Sequence, residues 1–194
     1  ALFEERRTPN WMLAVPILFF IGVAVAIGTA DLGEFDGAFI ALMLLGFAFV
    51  GFSEELVARG LILVGFRARF RELYVWLFST LMFAGMHSLN ALSGQDIQTT
   101  AMQVGSTFFT GSILYLIRRT TGTLIVSIVA HALFDFSVTV QSGPGSDVND
   151  TAGGHNGILF FIWGAGIIGL IGHRHLSGRK PDAAEQLDTA PAAP

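Results

Sequence analysis

The sequence predicts an all-α fold, a polytopic bundle of about six transmembrane helices. Of the 194 residues, 52% are hydrophobic and only 13% are charged, whereas a soluble domain usually carries about 25% charged residues. The 23 glycines point the same way, because glycine is more frequent in membrane helices than in soluble ones. Long apolar stretches also recur along the chain, and several of them contain ionisable side chains.

The predicted spans follow from the length that a bilayer demands, about 20 apolar residues per helix. Six stretches fit this requirement: 11–29, 37–66, 74–89, 99–117, 123–141 and 157–172. The second is too long for one straight crossing, so we expect it to tilt, to break near residues 51–53, or to run beyond the bilayer. The first has the outline of a signal peptide, but its length and the spans that follow favour a membrane helix.

The rest of the chain predicts one domain and a tail. Residues 1–176 are expected to form a single membrane-embedded domain, and residues 177–194, rich in Ala, Pro and Asp, a disordered cytoplasmic tail. The glycines of span six indicate close helix packing: Gly164, Gly166, Gly169 and Gly172. Three histidines are expected to be solvated: His155, His173 and His175.

The distribution of charge predicts the topology. Apart from Arg59, every Lys and Arg lies in the N-terminus, the second loop, the fourth loop or the C-terminus. The other loops, 31–36, 90–98 and 142–156, contain acidic residues and no basic one. Because short cytoplasmic loops carry the excess of Lys and Arg, both termini are predicted to be cytoplasmic, in a multi-pass protein of the cell membrane. No basic stripe suggests nucleic acid, and without cysteine there is no thiolate nucleophile.

Ionisable residues inside the spans predict a functional site. Six such residues stand there: Glu54, Glu55, Arg59, His87, His131 and Asp135. A charge at mid-bilayer costs at least ~2.5–3.5 kcal/mol, so these residues are rare and usually functional. Glu55 and Arg59 are four residues apart, as are His131 and Asp135, so each pair shares a helix face. Glu54 is rotated by about 100° from Glu55, which leaves it freer to act as a base.

The depths of these residues are consistent with one shared cavity. At about 1.5 Å per residue, Glu54 lies roughly 20 Å from the cytoplasmic flank, His131 roughly 18 Å and His87 roughly 23 Å. Three helices therefore bring a carboxylate and two imidazoles to a similar depth.

The chemistry of such a cluster favours hydrolysis. A carboxylate withdrawn from water accepts a proton more readily, so it can activate a water molecule beside an imidazole. A second His and a protonated Asp can donate to a developing oxyanion. No cofactor is predicted, but the sequence leaves zinc open, with Glu54, His87 and His131 as ligands and water at the fourth position. There is no GxSxG motif, which disfavours a serine hydrolase.

Three motifs resemble the CAAX-protease and bacteriocin-processing (Abi) family of intramembrane endopeptidases. Residues 54–59 match EExxxR, residues 83–87 match FxxxH, and residues 131–135 match HxxxD/N, in that order and each within an apolar span. The resemblance covers about residues 46–140. It implies a helical membrane fold with a glutamate-dependent peptidase site in a cavity within the membrane, open to the lipid or the cytosol.

The resemblance also assigns a role to each motif residue. It implies that Glu54 and His87 activate the water and that His131 and Asp135 stabilise the oxyanion. It further implies a supporting role for three residues: Glu55, Arg59 and Phe83. The eukaryotic CAAX branch has Asn at the position of Asp135, and Asp can donate a hydrogen bond only when protonated.

The leading prediction is an endopeptidase that cleaves a membrane-associated peptide or protein. A proton-coupled transporter also uses intramembrane Glu, His and Asp, but it is expected to show inverted repeats, and the sequence has none. A third reading is a non-proteolytic protein on the same scaffold, such as a bacteriocin immunity or partner protein.

Overall fold

The described part of the chain is helical, as the sequence predicts. The computed structural model describes residues 2–4, 8–145 and 164, and within them the only β-pairing is one antiparallel bridge between Phe3 and Thr123. The helices are α1 (Ala14–Thr29), α2 (Gly37–Glu55), α3 (Leu63–Arg67), α4 (Glu72–Met86), α5 (Leu89–Leu92), α6 (Ile97–Thr121) and α7 (Leu124–Ser142). A π-helical segment, Leu56–Ile62, joins α2 to α3.

Four helical stretches are long and apolar enough to cross a membrane. They are Asn10–Thr29, Gly37–Arg67, Glu72–Leu92 and Leu124–Ser142, which correspond to predicted spans one, two, three and five. The sixth span, the tail and the three solvated histidines lie outside the described residues, apart from Gly164. The count of six therefore stays a prediction, while the helical membrane bundle is confirmed.

Helix α6 fills predicted span four but is less apolar than the others. Its polar side chains bond within the bundle: the Asn90 amide donates to Gln103 at 2.8 Å, and the Trp76 indole donates to Ser112 at 3.1 Å. Hydrogen bonds of this kind satisfy polar groups that lipid cannot. A low apolar content in α6 thus follows from its place among the other helices.

The long second span does not break at residues 51–53. Residues Gly37–Arg67 form 31 consecutive helical residues, about 46 Å in length, against a hydrocarbon thickness of about 30 Å. The irregular part comes later, in the π-helical segment. Tilting or extension beyond the bilayer therefore accommodates the excess length.

The core lies where α1, α4 and α6 meet. Phe19 and Val23 of α1, Val75 of α4 and Ile113 of α6 are all buried. Helix α2 exposes most of its apolar surface instead, as expected of a helix that faces lipid, and packs closely against α7 at Gly51.

Basic residues that the sequence predicts to share one side do meet at one end of the bundle. Glu4 bonds Arg67 at 2.5 Å and Arg118 at 3.4 Å, and Glu72 bonds Arg67 at 2.9 Å and also contacts Arg119. These ion pairs tie the N-terminal segment, α3, α4 and α6 together. Which side of the membrane this end faces stays a prediction.

The N-terminal segment is also fixed through its backbone. The Glu4 N–H donates to the Gly122 carbonyl at 2.8 Å, and the Leu124 N–H donates to the Leu2 carbonyl at 2.9 Å. Residues 2–4 thus lie along the connection between α6 and α7.

The contact between α2 and α7 gives the first prediction. A Cβ atom at Gly51 would lie 2.9 Å from the Ile128 carbonyl oxygen and 3.1 Å from the Ala132 nitrogen. We expect Gly51→Ala to destabilise the protein by about 1–3 kcal/mol, because the backbones must separate. Gly46→Ala, on the same helix with no atom within 4 Å, is the matched control and should not. Equal melting temperatures in detergent would contradict this packing.

Candidate active site

The structure gathers the motif residues around one imidazole. Glu54 and Glu55 end α2, Arg59 follows in the π-helical segment, Phe83 and His87 lie at the end of α4, and His131 and Asp135 share α7. The His131 ring, 6% exposed, is the group that the three acidic residues have in common.

His131 contacts three carboxyl groups. Its Nδ1 lies 3.1 Å from Glu55 Oε1, while its Nε2 lies 3.5 Å from Asp135 Oδ2 and 3.9 Å from Glu54 Oε2. An ionised carboxylate only accepts hydrogen bonds, so the Nδ1–H donates to Glu55. The Nε2 atom is therefore the nitrogen that faces both Glu54 and Asp135.

Glu55 and Arg59 form the ion pair that their spacing predicts. The two side chains are 0% and 2% exposed, and Arg59 donates to Glu55 Oε1 at 2.5 Å. Arg59 also donates to the Gly111 carbonyl oxygen at 2.8 Å, and its guanidinium carbon lies 4.0 Å from the centroid of the Phe83 ring. Such a cation–π contact is strongest where water is excluded.

Phe83 connects the two histidines of the site. Its ring is 1% exposed and lies 5.4 Å from the His87 ring and 5.7 Å from the His131 ring, centroid to centroid, with edge-to-face geometry. His87 Nδ1 lies 3.1 Å from the Phe83 carbonyl oxygen. Since a carbonyl only accepts, this nitrogen carries a hydrogen and leaves Nε2 as the acceptor.

The two neighbouring glutamates have different surroundings. Glu54 is 29% exposed, and its Oε2 atom is enclosed without a hydrogen-bond partner among the described residues. Glu55 is fully buried and bonded to both Arg59 and His131. The carboxylate that reaches the surface of the site is thus the one without an arginine.

Sequence reasoning missed Gly111 of α6. A Cβ atom there would lie 2.8 Å from Phe83 Cδ1 and 3.2 Å from Arg59, so a side chain would displace both. A glycine in an apolar span was the only available signal, and it belongs to none of the three motifs.

Sequence reasoning also missed the π-helical segment, which starts directly after Glu55 and contains Arg59. Segments of this kind are often found at functional sites.

The sequence leaves open a zinc site with Glu54, His87 and His131 as ligands. No group of three His, Asp or Glu side chains in the described part of the chain is arranged to hold a metal ion. His131 Nε2 and Glu54 Oε2 lie 3.9 Å apart, and Nδ1 is bonded to Glu55.

Fold and site together define a class, helical membrane proteins with a Glu–His cluster buried among their spans. The family model of type II CAAX prenyl endopeptidase Rce1-like proteins matches residues 36–137, and the chain belongs to this family. The match includes every motif residue and confirms the resemblance that the motifs predict. No curated protein and no solved structure matches the chain.

The different surroundings of the two glutamates give the second prediction. Glu55→Gln should destabilise the protein by about 3–5 kcal/mol, because it leaves the buried Arg59 charge unpaired. Glu54→Gln, the matched control one residue away, should change stability little, since Glu54 is partly exposed and forms no ion pair with arginine. Thermal unfolding in detergent measures both; a larger loss for Glu54→Gln would contradict the assignment.

Proposed function

We propose that the chain is an intramembrane endopeptidase in which Glu54 activates the water that hydrolyses a peptide bond of a membrane-associated substrate. The observation that supports this most directly is the convergence of Glu54 and Asp135 on the Nε2 atom of the buried His131. The family match includes these residues.

Glu54 is the general base in this proposal. Its side chain is 29% exposed, and its enclosed Oε2 atom has no hydrogen-bond partner among the described residues. His87 assists through Nε2, which the bond from Nδ1 to the Phe83 carbonyl leaves free to accept. A positioned base and a second acceptor of this kind typically contribute 10²–10⁴-fold to the rate.

In this proposal His131 and Asp135 stabilise the oxyanion. Glu55 holds the His131 ring in one orientation, and in its imidazolium form the ring would also present Nε2–H to the substrate carbonyl. Donors that are fixed before the reaction stabilise developing charge most effectively. Arg59 supports these residues from behind: it bonds Glu55, lies over the Phe83 ring and donates to the Gly111 carbonyl.

The substrate is a peptide or protein that reaches the site from the lipid bilayer. The family description names prenyl endopeptidases, so a prenylated CAAX peptide is the first probe, with the same peptide lacking the lipid as the second. Cleavage of both at similar rates would show that the site does not require the prenyl group.

The third prediction concerns catalysis. Glu54→Gln and His87→Ala should each lower cleavage of the prenylated peptide by about 100-fold or more, because water activation is lost. The exposed Glu34, on the loop before α2, supplies the control Glu34→Gln, which should retain full activity. Undiminished cleavage by both site variants, with wild-type melting temperatures, would contradict the proposal.

We also propose that the protein lies in the cell membrane with both termini in the cytoplasm and that residues 1–176 form one domain. The support is the distribution of Lys and Arg between the loops and the convergence of Arg67, Arg118 and Arg119 at one end of the bundle.

The fourth prediction tests this orientation. Because the chain has no cysteine, Gly33→Cys and Ser93→Cys place single thiols in acidic loops, and Arg69→Cys places one in a basic loop. A membrane-impermeant maleimide added to intact cells should label the first two and not the third. The reverse labelling would overturn the orientation without affecting the peptidase proposal.

A further inference from the structure

One nitrogen of the site lies between two carboxyl groups. His131 Nε2 is 3.5 Å from Asp135 Oδ2 and 3.9 Å from Glu54 Oε2. The ring cannot easily turn away, since Nδ1 is bonded to Glu55, which Arg59 holds in turn. The arrangement is therefore a fixed row of carboxyl, imidazole and carboxyl.

Both carboxyl groups are partly exposed, whereas the imidazole between them is buried. Asp135 is 24% exposed and Glu54 is 29% exposed, whereas His131 between them is 6% exposed. An entering peptide bond would thus meet two carboxyl groups, with the imidazole behind them.

Charge limits the states in which this row can work. An oxyanion that develops beside two ionised carboxylates would be repelled by both. Glu54 gives up its negative charge when it takes the proton of the attacking water. Asp135 can assist the same step only while it carries a proton of its own.

We propose that Asp135 is the general acid of the reaction, which donates its proton to the leaving amine, and that His131 Nε2 restores it. This inference rests on the proposed function, in which Glu54 activates the water. It adds a step to the oxyanion role of Asp135, because a hydrogen-bond donor keeps its proton and a general acid transfers it.

The protons and bonds balance without a further reactant. Water loses a proton to Glu54, and its oxygen forms a bond to the carbonyl carbon. The C–N bond then breaks while the amine nitrogen takes the proton of Asp135. Finally the His131 imidazolium passes its Nε2 proton to Asp135 and receives the proton held by Glu54, which returns all three groups to their starting state.

The chemistry of the side chain at position 135 makes the inference testable. An asparagine amide can donate a hydrogen bond to an oxyanion, but it cannot supply a proton to an amine. Asp135→Asn therefore preserves the role of a hydrogen-bond donor and removes the role of an acid.

The experiment compares two substrates with the same acyl portion. One is a prenylated CAAX peptide, and in the other 4-nitrophenolate replaces the leaving amine at the scissile carbonyl. The peptide needs a protonated leaving amine, whereas nitrophenolate leaves without a proton. Asp135→Asn should lower cleavage of the peptide by about 100-fold or more and hydrolysis of the ester by less than about 3-fold. Glu54→Gln should abolish both, because both need activated water.

The outcomes separate the two proposals. Wild-type peptide cleavage by Asp135→Asn, or an equal loss on both substrates, would overturn the general acid and leave the role of Glu54 intact. Cleavage of the peptide by Glu54→Gln would overturn the proposed function itself.

A second measurement keeps the inference testable if Asp135→Asn does not fold. The wild-type protein is then assayed on a series of anilides that differ in leaving-group basicity. A general acid predicts rates that hardly depend on this basicity, and a steep dependence would overturn the proposal.

Discussion

The arrangement of the site depends on the permanent positive charge of the buried Arg59. A guanidinium keeps its proton under all conditions that a protein meets, so Arg59, 2% exposed, must find compensation inside the bundle. It finds three kinds: the Glu55 carboxylate, the Gly111 carbonyl and the face of the Phe83 ring. Because these groups belong to α2, α6 and α4, satisfying one side chain fixes three helices relative to one another.

Arg59 affects both histidines of the site. Through Glu55 it fixes the His131 ring with Nδ1 bonded to Glu55 and Nε2 facing Glu54 and Asp135. Through Phe83 it fixes the ring that both His87 and His131 contact. Arg59 therefore orders the site through Glu55 and Phe83, while the Oε2 atom of the neighbouring Glu54 has no hydrogen-bond partner among the described residues.

The sequence predicted the parts of the site that depend on one helix at a time. The spacing of Glu55 and Arg59, and of His131 and Asp135, gives the shared faces because helix geometry is local. The bond between His131 and Glu55 was not predicted, because it depends on how α7 is rotated against α2. Gly111 was missed for a related reason: its contribution is a backbone carbonyl and an absent side chain, neither of which a motif records. Among the spans, α6 was predicted as an ordinary crossing. The partners that its polar side chains find within the bundle were not predicted, because hydropathy does not record contacts between helices.

The pairing of residues 2–4 with the connection between α6 and α7 has a consequence for biogenesis. More than a hundred residues separate Leu2 from its partner Arg118, and contacts of such separation form late. During synthesis Glu4 can pair with Arg67 of α3 first, but its contact with Arg118 must await α6. The backbone bonds of residues 2–4 to Gly122 and Leu124 can likewise form only after the connection between α6 and α7 has been made.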